Sequence, residues 1–270
     1  MREPQPDFRG KTVLVTGGTK GIGRAVGLAF GARGADCVLT HKWGSADLDE
    51  LTAAYTSIGA PCPLVMQADV SSDEDTDALF DQLASRRVSL DVIVSNVSFS
   101  FATRSLEDYK RRSLLKSLEY SAWPVVSYVA HAARFLGRAP RYVIGVSSPG
   151  PDSFHTGYDF AAASKSVLEV FCRYMGSRLH GIDTRFNVVR PGGVFTDSLD
   201  STFGSDFREF AGRLSDPAHY LTGEDVGTAV VALASGWMDA VCGQVIHIDR
   251  GTRFFDGAMR LFDRRERYGI

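Results

Sequence analysis

A short glycine-rich segment near the amino terminus restricts the fold more than any other feature. Thr16-Gly17-Gly18-Thr19-Lys20-Gly21-Ile22-Gly23 follows the apolar run Val13–Val15 and precedes a helical pattern that contains Ala25–Phe30. Glycines allow a tight turn and a close approach of the backbone to a phosphate, and a helix amino terminus offers unpaired N–H groups to an anion. The order of strand, turn and helix therefore predicts a dinucleotide-binding turn. Its candidate contacts are Gly17, Thr19, Lys20, Gly21, Ile22 and Gly23.

Short β-rich apolar runs alternate with helical stretches along the chain. They are Thr12–Thr16, Cys37–Thr40, Pro63–Met66, Val92–Ser95, Tyr142–Val146, Arg185–Val189 and Val245–Ile248. Apolar residues at consecutive positions are typical of parallel strands that helices cover on both faces. We therefore expect an α/β fold with a doubly wound parallel sheet, a Rossmann fold. With no linker in between, residues 1–251 should form a single domain, followed by a C-terminal tail, 252–270, that is either docked on a neighbouring subunit or solvated.

Charge and composition exclude several other classes of protein. The net charge is −2 and no basic stripe is interleaved with aromatic residues, so no nucleic-acid partner is expected. No apolar run approaches about 18 residues, so we expect no membrane span and a cytoplasmic location. The four cysteines are scattered, without CxxC pairs or histidines at metal-ligand spacing, and no metal site is expected.

The end of the second apolar run indicates which dinucleotide binds. An acidic side chain there would hydrogen-bond the 2′-hydroxyl of an NAD ribose. The chain reads Leu39-Thr40-His41-Lys42-Trp43, with no carboxylate before Asp47. Lys42 and Lys20 could both neutralise a 2′-phosphate, which favours NADP(H) over NAD(H). The alternative is that both lysines are merely solvated.

From about Gly10 to Gly251 the chain resembles the short-chain dehydrogenase/reductase family. Besides the glycine turn, the landmarks are Asp69-Val70, Asn187 to Gly192, Thr196 and the closing segment Gly243 to Gly251. The family motif after the fourth strand is kept in part, as Ser95-Asn96-Val97-Ser98. The resemblance implies a homo-oligomer, a dimer or tetramer. It also implies that Asp69 and Val70 lie at the adenine, that Thr196 binds the nicotinamide carboxamide, and that Asn96, Pro191 and Gly192 belong to the cofactor site.

The catalytic pattern departs from that family at one position. Ser148 and Lys165 match the usual serine and lysine, but the usual tyrosine position holds Ala161. Tyr158 lies seven residues before Lys165, nearly the same face of a helix and about 4.5 Å along its axis from the usual tyrosine. This Tyr-x6-Lys spacing is similar to that of the enoyl-acyl-carrier-protein reductases, and Arg173-Tyr174-Met175 is also similar to some of them.

A phenol displaced from the usual tyrosine position fits a substrate whose reacting oxygen is displaced from the carbon that receives hydride. When hydride from NADPH reaches the β-carbon of an enoyl thioester, the developing enolate oxygen lies three bonds away, and Tyr158 would donate a hydrogen bond to it. Lys165 would hold the nicotinamide ribose and lower the pKa of the phenol, with Ser148 assisting the oxygen. His155 could relay protons or could simply be solvated. Phe99, Phe101 and a lid over Phe195–Leu214 indicate an apolar acyl chain or ring, small or carrier-bound, as substrate.

Two other functions remain open at this point. The chain could be a carbonyl reductase in which Ser148, Tyr158 or water replaces the missing tyrosine. It could also be a dinucleotide-binding sensor or scaffold without catalysis, as Ala161 and the altered segment at Asn96 would allow. The retained Lys165 argues against a sensor, because a sensor has less need of a charge at the reacting end.

Overall fold

The computed structural model describes residues 6–42, 47–196, 199, 204, 206–214 and 217–268. These form one parallel sheet of seven strands in the order β3-β2-β1-β4-β5-β6-β7. The strands are β1 Thr12–Val15, β2 Asp36–His41, β3 Leu64–Gln67, β4 Leu90–Ser95, β5 Tyr142–Val146, β6 Arg185–Pro191 and β7 Gln244–Ile248. All seven predicted strands are confirmed. β6 runs two residues further than expected because Arg190 and Pro191 continue the pairing with β7.

Helices form the crossovers between the parallel strands, and two further short helices follow β7. The helices are α1 Gly21–Gly31, α2 Leu48–Ser57, α3 Asp73–Ser85, α4 Arg111–Ser121, α5 Pro124–Leu136, α6 Asp159–Arg178, α7 Phe207–Leu214, α8 Gly223–Ala234, α9 Gly257–Asp263 and α10 Arg265–Tyr268. In the described part of the chain, no helix is both long and apolar enough to span a bilayer.

The sheet separates two hydrophobic cores, as a doubly wound fold requires. In β1, Val13 and Val15 pack on one side with Val26 and Phe30 of α1. Leu14 points to the other side, into a core that α3, α5 and α6 cover. Each strand is therefore apolar on both faces, which explains the consecutive apolar residues in its sequence.

The strand order reverses between β1 and β4, at the point where this fold class binds its ligands. Residues that follow these two strands meet at the same edge of the sheet, because their carboxyl ends are adjacent. Thr16 follows β1 and Asn96 follows β4. The candidate site is built from these loops and from those after β2, β3, β5 and β6.

The C-terminal tail folds into two short helices, α9 and α10, rather than one amphipathic helix. Its beginning contacts the main body, where the Arg253 guanidinium lies 3.6 Å from the Asp152 carboxylate and the Phe255 ring 5.2 Å from that of His219. Phe254 is 92% exposed and Phe262 is 58% exposed. The tail thus presents apolar side chains on its outer surface.

Candidate active site

The predicted dinucleotide-binding turn has the backbone that its glycines imply. Gly17 has a φ of +62°, which L side chains rarely adopt. A Cβ on Gly23 would lie 2.2 Å from the Gly17 carbonyl oxygen and 2.6 Å from Asn96 Nδ2. No side chain fits at Gly23, so the turn can close tightly onto the start of α1. The result is an open cradle of backbone at a helix amino terminus, which suits a pyrophosphate.

Asn96 holds this cradle in place. Its backbone N–H donates to Thr16 Oγ1 at 2.9 Å, and its side-chain Nδ2 donates to the carbonyl oxygens of Thr16 at 3.0 Å and Gly17 at 3.3 Å. The end of β4 is thereby joined to the end of β1. In this structure the amide of Asn96 therefore supports the turn itself, and its predicted place in the cofactor site stays a prediction.

The other predicted contacts of the turn lie at the same edge. Lys20 is exposed at the N-cap of α1, whose first turn carries no acidic residue. Thr196 lies next to Gly21, since a Cβ on that glycine would be 3.7 Å from Thr196 Cγ2. Gly192 follows β6 and donates its N–H to the Ile248 carbonyl oxygen at 2.8 Å. Thr19 and Pro191 are buried, and Ile22 packs against the core that Val26 belongs to.

Lys42 and Asp69 form an ion pair at the ends of β2 and β3. Tyr120 completes a triad, because its hydroxyl bonds Lys42 and donates to Asp69 Oδ2 at 3.1 Å. Burial alone would raise the pKa of Asp69, but hydrogen bonds from Lys42, Ser71 and Tyr120 outweigh it and lower that pKa. The structure therefore brings the predicted residues Lys42 and Asp69 together as an ion pair. The side chain of Val70 is buried in the core, which leaves only its backbone for a ligand.

Tyr120 was missed by the sequence reasoning. It is 4% exposed, and the ammonium groups of Lys42 and Lys116 each lie 4.8 Å from the centre of its ring. No local motif marks this tyrosine, since it lies on α4, far along the chain from β2 and β3. Only the fold, in which its hydroxyl reaches Lys42 and Asp69, reveals it.

Two adjacent serines at the end of β5 have different surroundings. Ser147 is buried and donates to Glu169 Oε1 at 2.6 Å. Ser148 lies near the Tyr158 phenol and tends to lower its pKa, while the buried Ser148 Oγ has no hydrogen-bond partner among the described residues. Of the two serines, Ser148 is therefore the one beside the phenol with a hydroxyl left for a ligand.

Tyr158 precedes α6 as its N-cap residue and does not lie within the helix, contrary to the expectation from spacing. Its ring packs on Gly150, where a Cβ would lie 2.8 Å from two ring carbons. Burial is the largest influence on the phenol and raises its pKa, although the nearby Ser148 acts in the opposite direction. The prediction of a lowered pKa was therefore wrong. The phenol is a neutral hydrogen-bond donor at physiological pH.

Lys165 lies within α6 and is 3% exposed. Its ammonium donates to the Val146 carbonyl oxygen at 2.8 Å, at the last residue of β5. Burial lowers its pKa to about 8, and the negative charge of Glu169 acts in the opposite direction. Lys165 and Tyr158 are thus both positioned by the end of β5 and the loop that follows it.

A buried ion network lies behind this loop, and no local pattern in the sequence indicates it. Arg190 of β6 donates three hydrogen bonds to Glu169 of α6, of which the shortest is 2.6 Å. The same guanidinium bonds Asp152 in the loop before Tyr158. Since Ser147 also bonds Glu169, the network ties β5, α6, β6 and the tyrosine loop together. Partners so far apart in sequence become visible only in the fold.

The loop after β4 clamps the start of α6. The Thr103 N–H donates to the Gly157 carbonyl oxygen at 3.2 Å, one residue before Tyr158. The Thr103 and Tyr109 hydroxyls both bond the Asp159 carboxylate, one residue after it. Tyr158 is therefore fixed from both sides. The pKa of Asp159 is lowered by these two hydrogen bonds.

The remaining predicted side chains surround the same loop. The half-buried His155 ring lies 5.8 Å from that of Tyr158, and burial lowers its pKa, so the imidazole is neutral. Phe99 and Phe101 contact each other edge to face at 5.2 Å. Of the expected lid over 195–214, α7 is confirmed as a helix, while 197–198, 200–203 and 205 lie outside the described residues, as does Trp43.

Comparison with known proteins identifies what the chain is similar to. A family model described as Enoyl-(Acyl carrier protein) reductase matches residues 17–253. The chain is 28% identical to glucose and ribitol dehydrogenase of Daucus carota, over 92% of this chain and 87% of that protein. It is 30% identical to 1-cyclohexenylcarbonyl-CoA reductase of Streptomyces collinus, over 73% of this chain and 70% of that protein.

A solved structure gives the same result for the fold. A short chain dehydrogenase from Burkholderia cenocepacia J2315, in complex with NADP, has a TM-score of 0.78 and 25% identity, covering 91% of this chain and 99% of that one. The family model and the relative from Daucus carota match nearly the whole length of the chain. The glycine cradle lies at the start of the matched range. The chain belongs to the short-chain dehydrogenase/reductase family, whose members are oxidoreductases that use a nicotinamide dinucleotide.

Proposed function

We propose that this oxidoreductase reduces the C=C bond of an α,β-unsaturated thioester with NADPH. The observation that carries the proposal is the place of the phenol. Ala161 occupies the usual tyrosine position and is 2% exposed, whereas Tyr158 stands before the helix, with its ring packed on Gly150 and the Ser148 side chain nearby. A donor displaced in this way suits an oxygen that is displaced from the carbon receiving hydride.

The proposed reaction consists of a hydride transfer and a protonation. Bound NADPH supplies the hydride that forms the new C–H bond at the β-carbon. The electron pair of the C=C bond then moves toward the thioester oxygen, where Tyr158 donates a hydrogen bond to the developing charge. Its raised pKa keeps the phenol protonated for this task. A proton from solvent is then added to the α-carbon, so each turnover consumes one hydride and one proton.

Ser148 and Lys165 support that donor. The buried Ser148 hydroxyl lies near the phenol without a hydrogen-bond partner among the described residues, so it offers a second donor at the end of β5. The ammonium of Lys165, held at the Val146 carbonyl, places positive charge beneath the loop. That charge favours the binding of a substrate whose oxygen becomes negative.

The preference for NADPH rests on the charges around the glycine turn. Lys20 is exposed at the start of α1, and Lys42 follows directly at the end of β2. Lys42 is paired with the Asp69 carboxylate, so the two together carry no net charge and the exposed ammonium of Lys20 supplies the excess. A 2′-phosphate at this edge would therefore meet positive charge.

A second candidate is the reduction of a C=O bond. The contact between Ser148 and Tyr158 favours it, because the phenol remains within reach of the serine that holds a carbonyl in this family. The relative from Daucus carota is named as a sugar and sugar-alcohol dehydrogenase. The relative from Streptomyces collinus is named as a reductase of an unsaturated acyl-CoA, and it supports the first candidate.

We also propose that the chain forms a homo-oligomer. Trp123 before α5 and Tyr174 of α6 are 47% and 70% exposed, and Val170 of α6 is 44% exposed. Large apolar side chains on adjacent helices are typical of subunit contacts.

The test follows NADPH oxidation with crotonyl-CoA and acetoacetyl-CoA in parallel. We expect turnover of crotonyl-CoA, reduced about 100-fold in Tyr158→Phe. Tyr174→Phe, which removes an exposed hydroxyl from α6 but keeps the apolar ring, should match the wild type. With deuterated NADPH, the label should appear at the β-carbon of the product. Turnover of the ketone alone would make the chain a carbonyl reductase, and NADPH binding without turnover of either would support a sensor.

A further inference from the structure

A cavity of about 500 Å³ lies beside the loop that carries Tyr158, and the proposed reaction does not use it. Its lining includes Phe101 and Ala102 from the loop after β4, and Lys110, Arg112 and Lys116 from the start of α4. It therefore combines an aromatic side chain with three cationic ones. This combination is unusual on a chain whose net charge is −2.

The cationic groups of this cavity are poorly neutralised. Among the residues that the structure describes, neither Lys110 nor Arg112 lies within ion-pair distance of a carboxylate, and Lys116 has only an exposed partner, Glu119, at 3.4 Å. Asp108 also lines the cavity, but its carboxylate accepts the N–H groups of Arg104 at 2.8 Å and Ser105 at 3.1 Å. The cavity thus keeps an excess of positive charge, which favours an anionic ligand.

The aromatic side chain adds a flat apolar surface. Phe101 is 45% exposed and is supported from behind by Phe99, whose ring lies 5.2 Å away. An exposed ring of this kind can stack on a nucleobase. Cations beside such a ring match a phosphorylated nucleoside better than a simple inorganic anion.

The cavity is continuous with the active-site loop. Ala102 contacts Gly157, where an added Cβ would lie 3.9 Å from the Ala102 Cβ, and Thr103 hydrogen-bonds the Gly157 carbonyl. Gly157 directly precedes Tyr158. A thioester carbonyl at Tyr158 could therefore be joined to this cavity through a flexible arm of the same substrate.

We propose that this cavity binds the phosphorylated nucleotide end of coenzyme A, which makes acyl-CoA thioesters the substrate class. The adenine stacks on Phe101, and Lys110, Arg112 and Lys116 bind the phosphates. This inference rests on the proposed thioester reduction for its reacting end. A carrier protein offers no adenine for the exposed ring, so coenzyme A fits the cavity better.

The first experiment measures binding without any reaction. Adenosine 3′,5′-bisphosphate is titrated by calorimetry into the full-length protein, with saturating NADP⁺ present to fill the dinucleotide site. Arg112→Glu should raise the dissociation constant about tenfold, and added salt should weaken wild-type binding. Arg111→Glu is the matched control, because it reverses a neighbouring exposed charge on the same helix turn outside the cavity lining. An equal effect of the two variants would overturn the proposal.

The second experiment compares substrates that share one acyl group. The ratio of KM values for crotonyl-CoA and crotonyl-pantetheine should shift about tenfold against the CoA ester in Arg112→Glu and stay constant in Arg111→Glu. If Arg112→Glu raised the KM for a crotonyl carrier protein but not for crotonyl-CoA, coenzyme A would be overturned as the occupant. Bisphosphate binding that depends on Arg112, without turnover of crotonyl-CoA, would retain the cavity and refute the reaction. Turnover of crotonyl-CoA that is unchanged in Arg112→Glu would retain the reaction and refute the cavity as the coenzyme A site.

Discussion

The ring of Tyr158 packs so closely on Gly150 that a Cβ on the glycine would lie 2.8 Å from both Cδ1 and Cε1 of the ring. Real Cβ atoms essentially never come so close, so one of the two groups would have to move. The glycine is therefore required by the position of the phenol. This close contact indicates that the loop is shaped to hold the tyrosine at its displaced position.

Replacing Gly150 should disturb catalysis while sparing the fold. In Gly150→Ala we expect the phenol to shift and kcat/KM for crotonyl-CoA to fall about tenfold or more, because small displacements of a reacting group are costly. The dissociation constant for NADPH, measured by fluorescence titration, should stay unchanged, since the glycine turn is untouched. Gly181→Ala is the control, because nothing lies within 4 Å of its added Cβ. Normal turnover in Gly150→Ala would mean that the phenol tolerates displacement.

The fold could be predicted from the sequence because its signals are local. Consecutive apolar residues such as Val13–Val15 mark a strand buried on both faces, and the glycines of the turn mark its end. The boundaries were less accurate, since the extension of β6 to Pro191 depends on its pairing with β7. That pairing is a long-range property, which the pattern of one segment does not contain.

The candidate site was predictable only in part. Ser148 and Lys165 could be found by spacing, whereas the direction of the pKa shift of Tyr158 depends on burial and was missed. The triad completed by Tyr120 and the pair of Glu169 with Arg190 join residues from distant segments. Polar residues of this kind look like ordinary surface positions in the sequence. Only the packed fold shows which charges face each other.

The buried ammonium of Lys165 predicts a pH-dependent stability. The native pKa is about 8, against 10.5 for the ordinary side chain, so between these values the unfolded chain binds more protons. The free energy of unfolding should therefore rise as the pH increases through this range, by at most about 3 kcal/mol. In Lys165→Met this contribution is absent, so the stability of the variant relative to the wild type should decline from pH 8 to pH 10.

Urea unfolding at pH 7, 8, 9 and 10 measures that difference. Lys110→Met, which replaces an exposed lysine, should differ from the wild type by the same amount at every pH. A constant difference for Lys165→Met as well would show that the ammonium keeps its ordinary pKa in the folded chain.

The buried pair of Glu169 and Arg190 should be strongly coupled. Both residues are 4% exposed, so removing one partner leaves a buried charge with less compensation. We expect Glu169→Gln to lower the free energy of unfolding by about 3 kcal/mol, and Arg190→Met by a similar amount. The double variant should lose clearly less than the sum of the two, as a double-mutant cycle in urea would measure.

An exposed ion pair provides the comparison. Glu209 and Arg213 bond each other across one turn of α7 at 72% and 73% exposure of their side chains, and breaking that pair should change stability by less than about 0.5 kcal/mol. If the two cycles gave equal coupling, the network behind the active site would contribute no more than a surface pair.

The exposed Lys20 should contribute to the choice of dinucleotide. It stands at the N-cap of α1 beside the glycine cradle, and a 2′-phosphate at this edge would gain from its charge. Lys20→Ala should raise the dissociation constant of NADPH about tenfold and leave that of NADH nearly unchanged. Lys11→Ala removes an exposed lysine at the opposite end of β1, where its ammonium lies 3.6 Å from Asp91, and should affect neither dinucleotide. Fluorescence titration with both dinucleotides measures the four constants. Equal weakening of NADPH and NADH in Lys20→Ala would show that this lysine serves the shared pyrophosphate rather than the 2′-phosphate, and the preference would then have to come from Lys42.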